Sequence, residues 1–141
     1  MNSLITGLCL RADHWAQMEE DVISKAPEEA CGLVGGIRNQ AMIVIPITNE
    51  LHSNVRFRMD PKEEVDAFIS IEKQGWEVLA VYHSHPMGIN QPSETDLEEL
   101  SFPGIIYLIW YHQDKKWHCR GFLMQSSSEA GEVPVTIVDR E

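Results

Sequence analysis

The sequence predicts an α/β fold in which helices pack on the faces of a mixed β-sheet. Runs of apolar and β-branched residues are typical of strands, and some are joined by short turns while others are separated by segments with helical spacing. Hairpins beside helical connections indicate a mixed sheet. The chain of 141 residues, 43% hydrophobic, is long enough for a core without disulfides, and no linker or repeat divides it. We therefore expect a single domain over residues 1–141.

The first half of the chain is predicted to alternate strands with helices. The elements, in order, are a strand over Leu4–Leu10, a helix capped by Asp13 that runs to about Lys25, a buried strand over Cys31–Ile37, a strand over Met42–Thr48, a weak strand over Asn54–Met59 and a helix from Asp60 to about Gln74. Apolar residues at helical spacing give each helix a buried face: Trp15, Met18, Val22 and Ile23 in the first, and Val65, Phe68, Ile69 and Ile71 in the second. Pro46 indicates that its strand lies near an edge or a bulge.

The second half is predicted to consist mainly of strands. They are Trp76–Tyr82, which runs directly into His83, then Ile105–Tyr111 and its hairpin partner Trp117–Met124, and finally Val133–Val138. Thr95–Leu100 is predicted as a short acidic helix. The segment Ser126–Gly131, which reads SSSEAG, is predicted as a loop.

Composition and charge argue against several classes of function. A net charge of −11 repels phosphate backbones, which argues against nucleic-acid binding and favours small molecules or basic protein partners. No apolar run approaches the roughly 20 residues that cross a bilayer, and the first residues lack the basic start of a secretory signal. The three cysteines, Cys9, Cys31 and Cys119, have no paired spacing. We therefore expect a cytoplasmic protein with no membrane association, disulfide framework or four-cysteine zinc site.

The candidate chemistry lies between residues 82 and 96, which read YHSHPMGINQPSETD. His83 and His85 are two residues apart at the end of a predicted strand, so the alternation of side chains directs both imidazoles to the same side. Ser93 is a good N-cap, which places Asp96 at the third position of the helix that follows. A loop over residues 86–92 brings Asp96 back to the two histidines. These three residues are the predicted metal ligands.

Two imidazoles and one carboxylate suit zinc, and three protein ligands leave a fourth position for water, as in catalytic sites. Zinc lowers the pKa of bound water to about 7, and a carboxylate is then needed to take the proton and give it to the leaving amine. Glu29 is the leading candidate for this general base, and Glu28 is the alternative. Ser93 acts either only as the N-cap or also as a donor to the oxyanion of the tetrahedral intermediate.

These residues resemble the motif of the JAMM (MPN+) metalloproteases. The resemblance rests on Pro-x-Glu-x-Cys-Gly at 27–32, His-Ser-His-Pro at 83–86 and Ser-x-x-Asp at 93–96, with six residues between Pro86 and Ser93. It extends over essentially the whole chain and includes FRMDPKE at 57–63. It implies an MPN (cytidine-deaminase-like) fold, with a mixed, mostly antiparallel sheet flanked by helices.

The resemblance also implies roles for individual residues. The positions that match the family motif are His83, His85 and Asp96 as ligands of one Zn²⁺, Glu29 as the acid/base and Ser93 as the residue that steadies the oxyanion. The family cleaves isopeptide or peptide bonds after the C-terminal glycines of ubiquitin or ubiquitin-like proteins, so a deubiquitinase-like metalloprotease is implied here. Its substrate tail lies extended in a groove, whose edge is expected around Asn54, Arg56 and Arg58.

Two alternatives stay open beside this interpretation. A hydrolase that processes a sulfur-carrier protein in cysteine or sulfur metabolism would use the same mechanism. A non-catalytic MPN binding module would bind a partner without turnover, although the intact ligand set argues against it.

A zinc-dependent nucleotide deaminase normally needs a Pro-Cys-x-x-Cys pair, which this sequence lacks. Cys31 is not favoured as a nucleophile, because its small apolar neighbours indicate a packed thiol.

Overall fold

The computed structural model describes residues 7–98, 104–126 and 129–138. Within these ranges the elements are β1 (Leu8–Arg11), α1 (Ala12–Lys25), β2 (Cys31–Ile37), β3 (Gln40–Ile47), α2 (Pro61–Lys73), β4 (Glu77–His85), α3 (Glu94–Glu98), β5 (Ile106–Gln113), β6 (Lys116–Ser126), β7 (Glu129–Val133) and β8 (Val135–Val138). The strands form one sheet in the order β7-β6-β5-β4-β2-β3-β1-β8. Four of the neighbouring pairs are antiparallel and three are parallel, which confirms the predicted α/β class with a mixed, mostly antiparallel sheet.

The last segment of the chain contributes the outermost strand at each end of the sheet. β7 pairs with β6, whereas β8, one residue later, pairs with β1. Pro134 lies at the junction, where it has no N–H to give to either ladder, and its carbonyl oxygen accepts the Leu8 N–H at 3.0 Å. The single strand predicted over Val133–Val138 is therefore divided at Pro134 into two strands, which pair at opposite ends of the sheet.

Each face of the sheet buries its own apolar layer. The layer with α1 includes Leu10, Met18, Val22, Tyr82 and Trp110, and the layer with α2 includes Leu33, Ile47, Ala67, Ile71 and Val81. Because side chains alternate along β4, Tyr82 faces the α1 layer while Val81 and the two histidines that follow face the α2 side. The fold thereby places His83 and His85 on the α2 side of the sheet. No described helix combines the length and the apolar character needed to cross a bilayer.

The two long helices differ from the prediction in the N-cap of α1 and in part of their buried faces. α1 is capped by Arg11 and not by Asp13, because β1 runs straight into the helix and the Nδ1 of His14 accepts the Arg11 N–H at 3.2 Å. α2 begins as predicted, with Asp60 accepting the Glu63 N–H at 3.0 Å. Three of the predicted buried residues are exposed instead, namely Ile23, Val65 and Ile69.

A buried polar contact explains part of the difference in α1. Asp21 is buried, and its carboxylate accepts the hydroxyl of Tyr82 at 2.7 Å and contacts Lys25 at 2.9 Å. This contact turns the Asp21 side of the helix toward β4, and Ile23 consequently faces outward. Helical spacing of apolar residues alone does not reveal a buried carboxylate that is satisfied by a tyrosine on a distant strand.

Other predicted elements need smaller corrections. Residues 50–58 form an irregular loop and not a weak strand, because the segment folds back on itself through an isolated bridge between Asn49 and Met59. Part of the predicted loop Ser126–Gly131 belongs to β6 and β7, which pair as neighbours. The predicted strand Leu4–Leu10 and helix Thr95–Leu100 extend outside the described residues, as does the middle of the Ser126–Gly131 segment. β3 is paired with β1 only at Gln40, so Pro46 lies where that side of β3 has no strand pairing among the described residues.

Close packing at Gly32 fixes the contact between β2 and β4. A Cβ atom at this position would lie 2.3 Å from the Tyr82 ring and 2.6 Å from the Ile45 carbonyl oxygen. The ring cannot move aside freely, because the Tyr82 hydroxyl is bonded to Asp21. Glycine is therefore required here by space and not by backbone conformation.

We expect Gly32→Ala to lower the free energy of unfolding by about 1–3 kcal/mol or more, because the added methyl overpacks a fixed ring. Gly131→Ala is the matched control, since it too lies in a strand and no described atom would come within 4 Å of an added Cβ there. That change should stay within about 0.5 kcal/mol. Urea denaturation followed by tryptophan fluorescence measures both values, and equal effects would contradict this account of Gly32.

Candidate metal centre

The last residues of β4 carry the two histidines of the predicted site. β4 lies between β2 and β5, and His83 is opposite Cys31 on one side and Ile109 on the other. Both imidazoles are buried and point to the same face, with their Nε2 atoms 3.1 Å apart. The predicted alternation is thus confirmed. A central strand also holds the pair more rigidly than a loop would.

Asp96 reaches the histidines through the cap of a short helix. Ser93 is the N-cap of α3, where its Oγ accepts the Asp96 N–H at 3.1 Å and its own N–H donates to Asp96 Oδ2 at 2.8 Å. This reciprocal pair is a capping box, and it fixes the carboxylate at the third position of the helix, as predicted. Asp96 Oδ2 then lies 3.1 Å from His83 Nε2 and 3.0 Å from His85 Nε2.

The three atoms fit a zinc ion. Tetrahedral zinc with bonds of about 2.0–2.1 Å to nitrogen and oxygen separates its ligands by about 3.3 Å. The observed triangle of 3.0–3.1 Å is slightly tighter than that spacing. His85 Nδ1 also donates to the Ile89 carbonyl oxygen at 2.9 Å, which leaves the lone pair on Nε2 directed at the triangle. The donor set and its orientation could hold a metal ion.

The electrostatics of the site favour positive charge. Burial raises the pKa of the Asp96 carboxyl, but the charge of His83 and the hydrogen bonds to both histidines outweigh burial and hold that pKa well below its ordinary value. Burial lowers the pKa of His85, but its hydrogen bond to Asp96 and the negative charge there raise it overall. Three acceptor atoms facing one another need a proton or a metal cation between them.

Glu29 lies beside this triangle and is almost fully buried, with 3% of its surface exposed. Its ligand oxygen and those of the two histidines all lie within 4.8 Å of one another. Glu29 Oε1 has no hydrogen-bond partner among the residues that the structure describes. Burial raises the pKa of this carboxyl, although the nearby His83 and His85 lower it in part. An unpartnered buried carboxylate with a raised pKa is suited to accept and return a proton.

The backbone of Glu29 is held from two directions. Its N–H donates to the Ser53 carbonyl oxygen at 2.8 Å, and its carbonyl oxygen accepts the Asn49 side-chain amide at 3.0 Å. The next residue, Ala30, donates its N–H to the Ser84 hydroxyl at 2.7 Å, so the serine between the two histidines ties this segment to β4. Glu28 faces away, with an exposed contact to His52 at 3.1 Å. The structure thus brings Glu29, and not Glu28, to the centre.

Neighbouring side chains that the sequence did not single out complete the surroundings. Phe57 stacks on the His83 ring with centroids 4.5 Å apart and covers that ligand. Gly88 lies in the loop between the ligands with a φ of +93°, where a Cβ would come within 3.2 Å of the His112 carbonyl oxygen. Arg120, paired with Glu132, donates to the Asn90 carbonyl oxygen at 2.8 Å. Of these neighbours, only Gly88 could have been suspected from the sequence, because glycine is the residue that most readily adopts a positive φ angle.

A cleft of about 240 Å³ opens beside Asp96. Its lining includes Arg56 and Arg58, which the sequence predicts at the groove edge, but not the third predicted residue, Asn54. Its other lining residues are Leu51, Phe57, Met59, Glu64, Val81, Thr95, Asp96 and Tyr107. The cleft therefore connects the loop over residues 50–58 with the metal centre.

Cys31 has the environment of an inert thiol. It is fully buried, its Sγ contacts the Ile47 carbonyl oxygen at 3.4 Å, and burial raises its pKa to about 12. A thiol with this pKa is not ionised near neutrality and does not act as a nucleophile. The structure supports the prediction that Cys31 packs in the core.

Known proteins resemble this chain along most of its length. Residues 11–120 match the family model for prokaryotic homologs of the JAB domain. The chain is 30% identical over 124 residues to a desampylase of Pyrococcus furiosus, covering 88% of this chain and 86% of that protein. It is 27% identical over 135 residues to a CysO-cysteine peptidase of Mycobacterium tuberculosis, covering 94% and 92%. It is 37% identical over 79 residues to a probable TtuB-protein conjugate cleaving protease of Thermus thermophilus, covering 55% and 53%.

Solved structures agree on the fold. The solution structure of a protein from Desulfitobacterium hafniense has a TM-score of 0.85 at 30% identity, and the match covers 94% of both chains. The crystal structure of a JAB1/MPN domain protein from Archaeoglobus fulgidus has a TM-score of 0.56 at 20% identity and covers 93% of this chain and 98% of the other. The predicted MPN fold is thereby confirmed.

Asp96→Asn and Glu29→Gln are matched changes, because each replaces a carboxylate by an amide of the same shape. Asp96 Oδ2 lies within 3.1 Å of both histidine nitrogens, so we expect its loss to weaken Zn²⁺ binding by more than about 100-fold. Glu29→Gln should weaken binding by less than about tenfold. Competition with a chromophoric chelator measures both affinities, and the reverse order would make Glu29 the third ligand.

Proposed function

The chain belongs to the family of prokaryotic homologs of the JAB domain, and from this premise we propose that it is a zinc-dependent peptidase or isopeptidase that cleaves after the C-terminal Gly-Gly of a ubiquitin-like protein. The observation that carries the proposal is the triangle of His83, His85 and Asp96, 3.0–3.1 Å on each side, with the buried Glu29 beside it. Relatives named as a desampylase, a conjugate cleaving protease and a peptidase support the reaction class.

In this proposal the chain is a hydrolase of the JAMM type in which His83, His85 and Asp96 hold one Zn²⁺. When bound, zinc supplies a Lewis acid and lowers the pKa of a coordinated water to about 7. The metal-binding fold and the catalytic residues are contained in one domain that we assign to residues 1–141.

Glu29 is the general base and then the general acid. Its Oε1 takes a proton from the attacking water and later delivers it to the nitrogen of the leaving amine. Burial keeps bulk water from this carboxylate and raises its pKa above the ordinary value of a glutamate. Asn49, Ser53 and Ser84 hold the backbone from which it acts.

Ser93 has the second catalytic role. Its Oγ accepts the Asp96 N–H, which leaves the hydroxyl proton free to donate to the negative charge that develops on the scissile carbonyl oxygen. In this assignment the N-cap and oxyanion roles are compatible, because they use different parts of one hydroxyl group.

A glycine-rich tail fits the narrow access to the proposed metal centre. The two histidines and Glu29 are each no more than 3% exposed, so an extended segment without side chains can approach where a bulky one would clash. The cleft that contains Arg56 and Arg58 gives the rest of the tail a path along the 50–58 loop. The net charge of −11 favours a partner with a basic surface.

A second candidate function concerns the substrate and not the mechanism. Similarity over 94% of the chain to a CysO-cysteine peptidase favours processing of a sulfur-carrier protein, with release of a small amino acid. The third alternative, a non-catalytic binding module, would not need Glu29 to be buried next to the ligands without a partner of its own among the described residues.

We also propose a cytoplasmic location, since Cys9, Cys31 and Cys119 are all free thiols.

The proposed activity is tested with a linear fusion of a ubiquitin-like domain, ending in Gly-Gly, to a short peptide. We expect cleavage after the glycines with Zn²⁺, and none with a chelator. Glu29→Gln should lower kcat by about 10²–10⁴-fold while the metal stays bound, because the general base is removed and the ligands are not. Mass spectrometry identifies the cleaved bond.

A carrier protein ending in Gly-Gly-cysteine is tested in parallel. Cleavage of this probe alone would select the sulfur-carrier alternative. A chain that binds Zn²⁺ stoichiometrically, cuts neither probe and still retains a ubiquitin-like partner would be a binding module, contrary to our proposal.

Ser93→Ala tests the oxyanion role separately from the cap. We expect kcat to fall by about 10²–10³-fold, because a donor to the developing charge is lost, whereas Zn²⁺ affinity should fall by less than about tenfold. Ser93→Thr keeps both the hydroxyl and the cap and should retain most of the activity. A loss of metal affinity as large as the loss of kcat would reduce Ser93 to a capping residue.

A further inference from the structure

Asn49 is a buried asparagine, 3% exposed, between the proposed general base and the cleft. Its side chain makes four hydrogen bonds, all to backbone groups. The Nδ2 atom donates to the carbonyl oxygens of Glu29 and Arg56, each at 3.0 Å. The Oδ1 atom accepts the N–H groups of Leu51 and Arg58, each at 3.1 Å.

This set uses the full capacity of an asparagine side chain, which has two donor hydrogens and two acceptor lone pairs. The orientation of the amide is fixed by its partners, since two carbonyl oxygens face one end and two N–H groups face the other. Asparagine is the residue whose side chain satisfies all four groups at once. Such a complete buried network holds its members in one arrangement.

The groups that Asn49 holds belong to two different parts of the proposed site. One is the backbone of Glu29, whose carboxylate acts on the reacting atoms in our proposal. The other is the loop from Leu51 to Arg58, which closes through the Glu50 N–H donating to the Arg58 carbonyl oxygen at 2.9 Å. This loop lines the cleft and carries Phe57, which covers His83.

The metal ligands do not depend on these bonds. His83 and His85 are positioned by the ladders of β4 with β2 and β5, and Asp96 by the capping box of α3. Asn49 makes none of these contacts. A change at Asn49 therefore separates placement of the base and the cleft from assembly of the metal centre.

We propose that Asn49 is a positioning residue that couples the general base Glu29 to the substrate cleft through its two donor and two acceptor hydrogen bonds. This inference rests on the proposed function. The bond to the Glu29 carbonyl oxygen sets where the Glu29 carboxylate stands relative to the metal centre, and the bonds to Leu51, Arg56 and Arg58 set the shape of the loop that receives the substrate tail. Displacing a catalytic group by about 1 Å can lower the rate about 10²-fold.

Asn49→Ala removes all four bonds, whereas Asn49→Asp keeps the two acceptor bonds and turns an oxygen toward the carbonyl oxygens of Glu29 and Arg56. For the alanine variant we expect kcat on the Gly-Gly fusion to fall by about 10- to 100-fold and KM to rise by about fivefold or more. For the aspartate variant we expect a similar fall in kcat but a smaller rise in KM than in the alanine variant, because Oδ1 still accepts the Leu51 and Arg58 N–H groups while the bond to the Arg56 carbonyl oxygen is lost. Both variants should bind Zn²⁺ within about threefold of the parent.

Asn39→Ala is the control, since Asn39 is an exposed asparagine in the turn between β2 and β3 whose amide contacts Cys9 Sγ at 3.8 Å. It should change neither kcat nor KM. A kcat for Asn49→Ala within about threefold of the parent would overturn the proposal. A loss of Zn²⁺ affinity in parallel with kcat would also overturn it, because Asn49 would then act on the whole fold.

Amide hydrogen exchange by NMR gives a readout that needs no substrate. In Asn49→Ala we expect the amides of Leu51, Arg58 and Glu29 to exchange at least about tenfold faster, with the β4 amides unchanged. In Asn49→Asp the Glu29 amide should exchange faster, whereas the Leu51 and Arg58 amides, which still donate to Oδ1, should exchange as slowly as in the parent. Should the parent chain cleave no fusion, the proposed function fails, and this exchange pattern still decides whether Asn49 couples the two segments. Uniform acceleration across β4 would refute the coupling.

Discussion

The meeting of three acceptor atoms in one buried position constrains the rest of this molecule. Two imidazole nitrogens and one carboxylate oxygen face one another at 3.0–3.1 Å, an arrangement that only a cation or shared protons stabilise. Holding them together requires a rigid strand for His83 and His85 and a capped helix for Asp96. It also requires a fixed tautomer, which the Ile89 carbonyl oxygen provides for His85. The surrounding fold supplies each of these at a different place in the chain.

The two faces of the sheet have different roles: one packs against α1, and the other carries the candidate metal centre. On one face Tyr82 packs over Gly32 and donates to Asp21, so α1 is fastened to the same strand that carries the ligands. On the other face the residues next to Tyr82 project into the centre. Glu29 arrives there because Ala30 and Ser84 exchange hydrogen bonds across the start of β2. Glu29 is therefore placed by strand register, and its Oε1 atom is left without a partner among the described residues.

Local patterns in the sequence were enough to predict the fold class, the proposed metal ligands and the geometry that these residues adopt. Alternation along β4 is a property of any strand, so two histidines at i and i+2 share a face wherever the strand lies. The capping box of Ser93 and Asp96 is equally local, since all of its atoms belong to four consecutive residues. The same holds for Asp60 at the start of α2. At Ser93 and Asp60 the short-range rules apply because each cap and its partner are only three residues apart.

Which segments meet depends on packing between parts of the chain that are far apart in sequence. Helical spacing placed Ile23 and Ile69 inside, yet both are exposed, because the helices are oriented by contacts such as Asp21 with Tyr82 across 61 positions of sequence. Residues 54–59 were predicted as a weak strand but belong to a loop, since the Asn49 side chain takes hydrogen bonds that a neighbouring strand would have made. The last strand was divided at Pro134 because its two halves pair with opposite edges of the sheet. Long-range partners are chosen by packing in three dimensions, which no local pattern encodes.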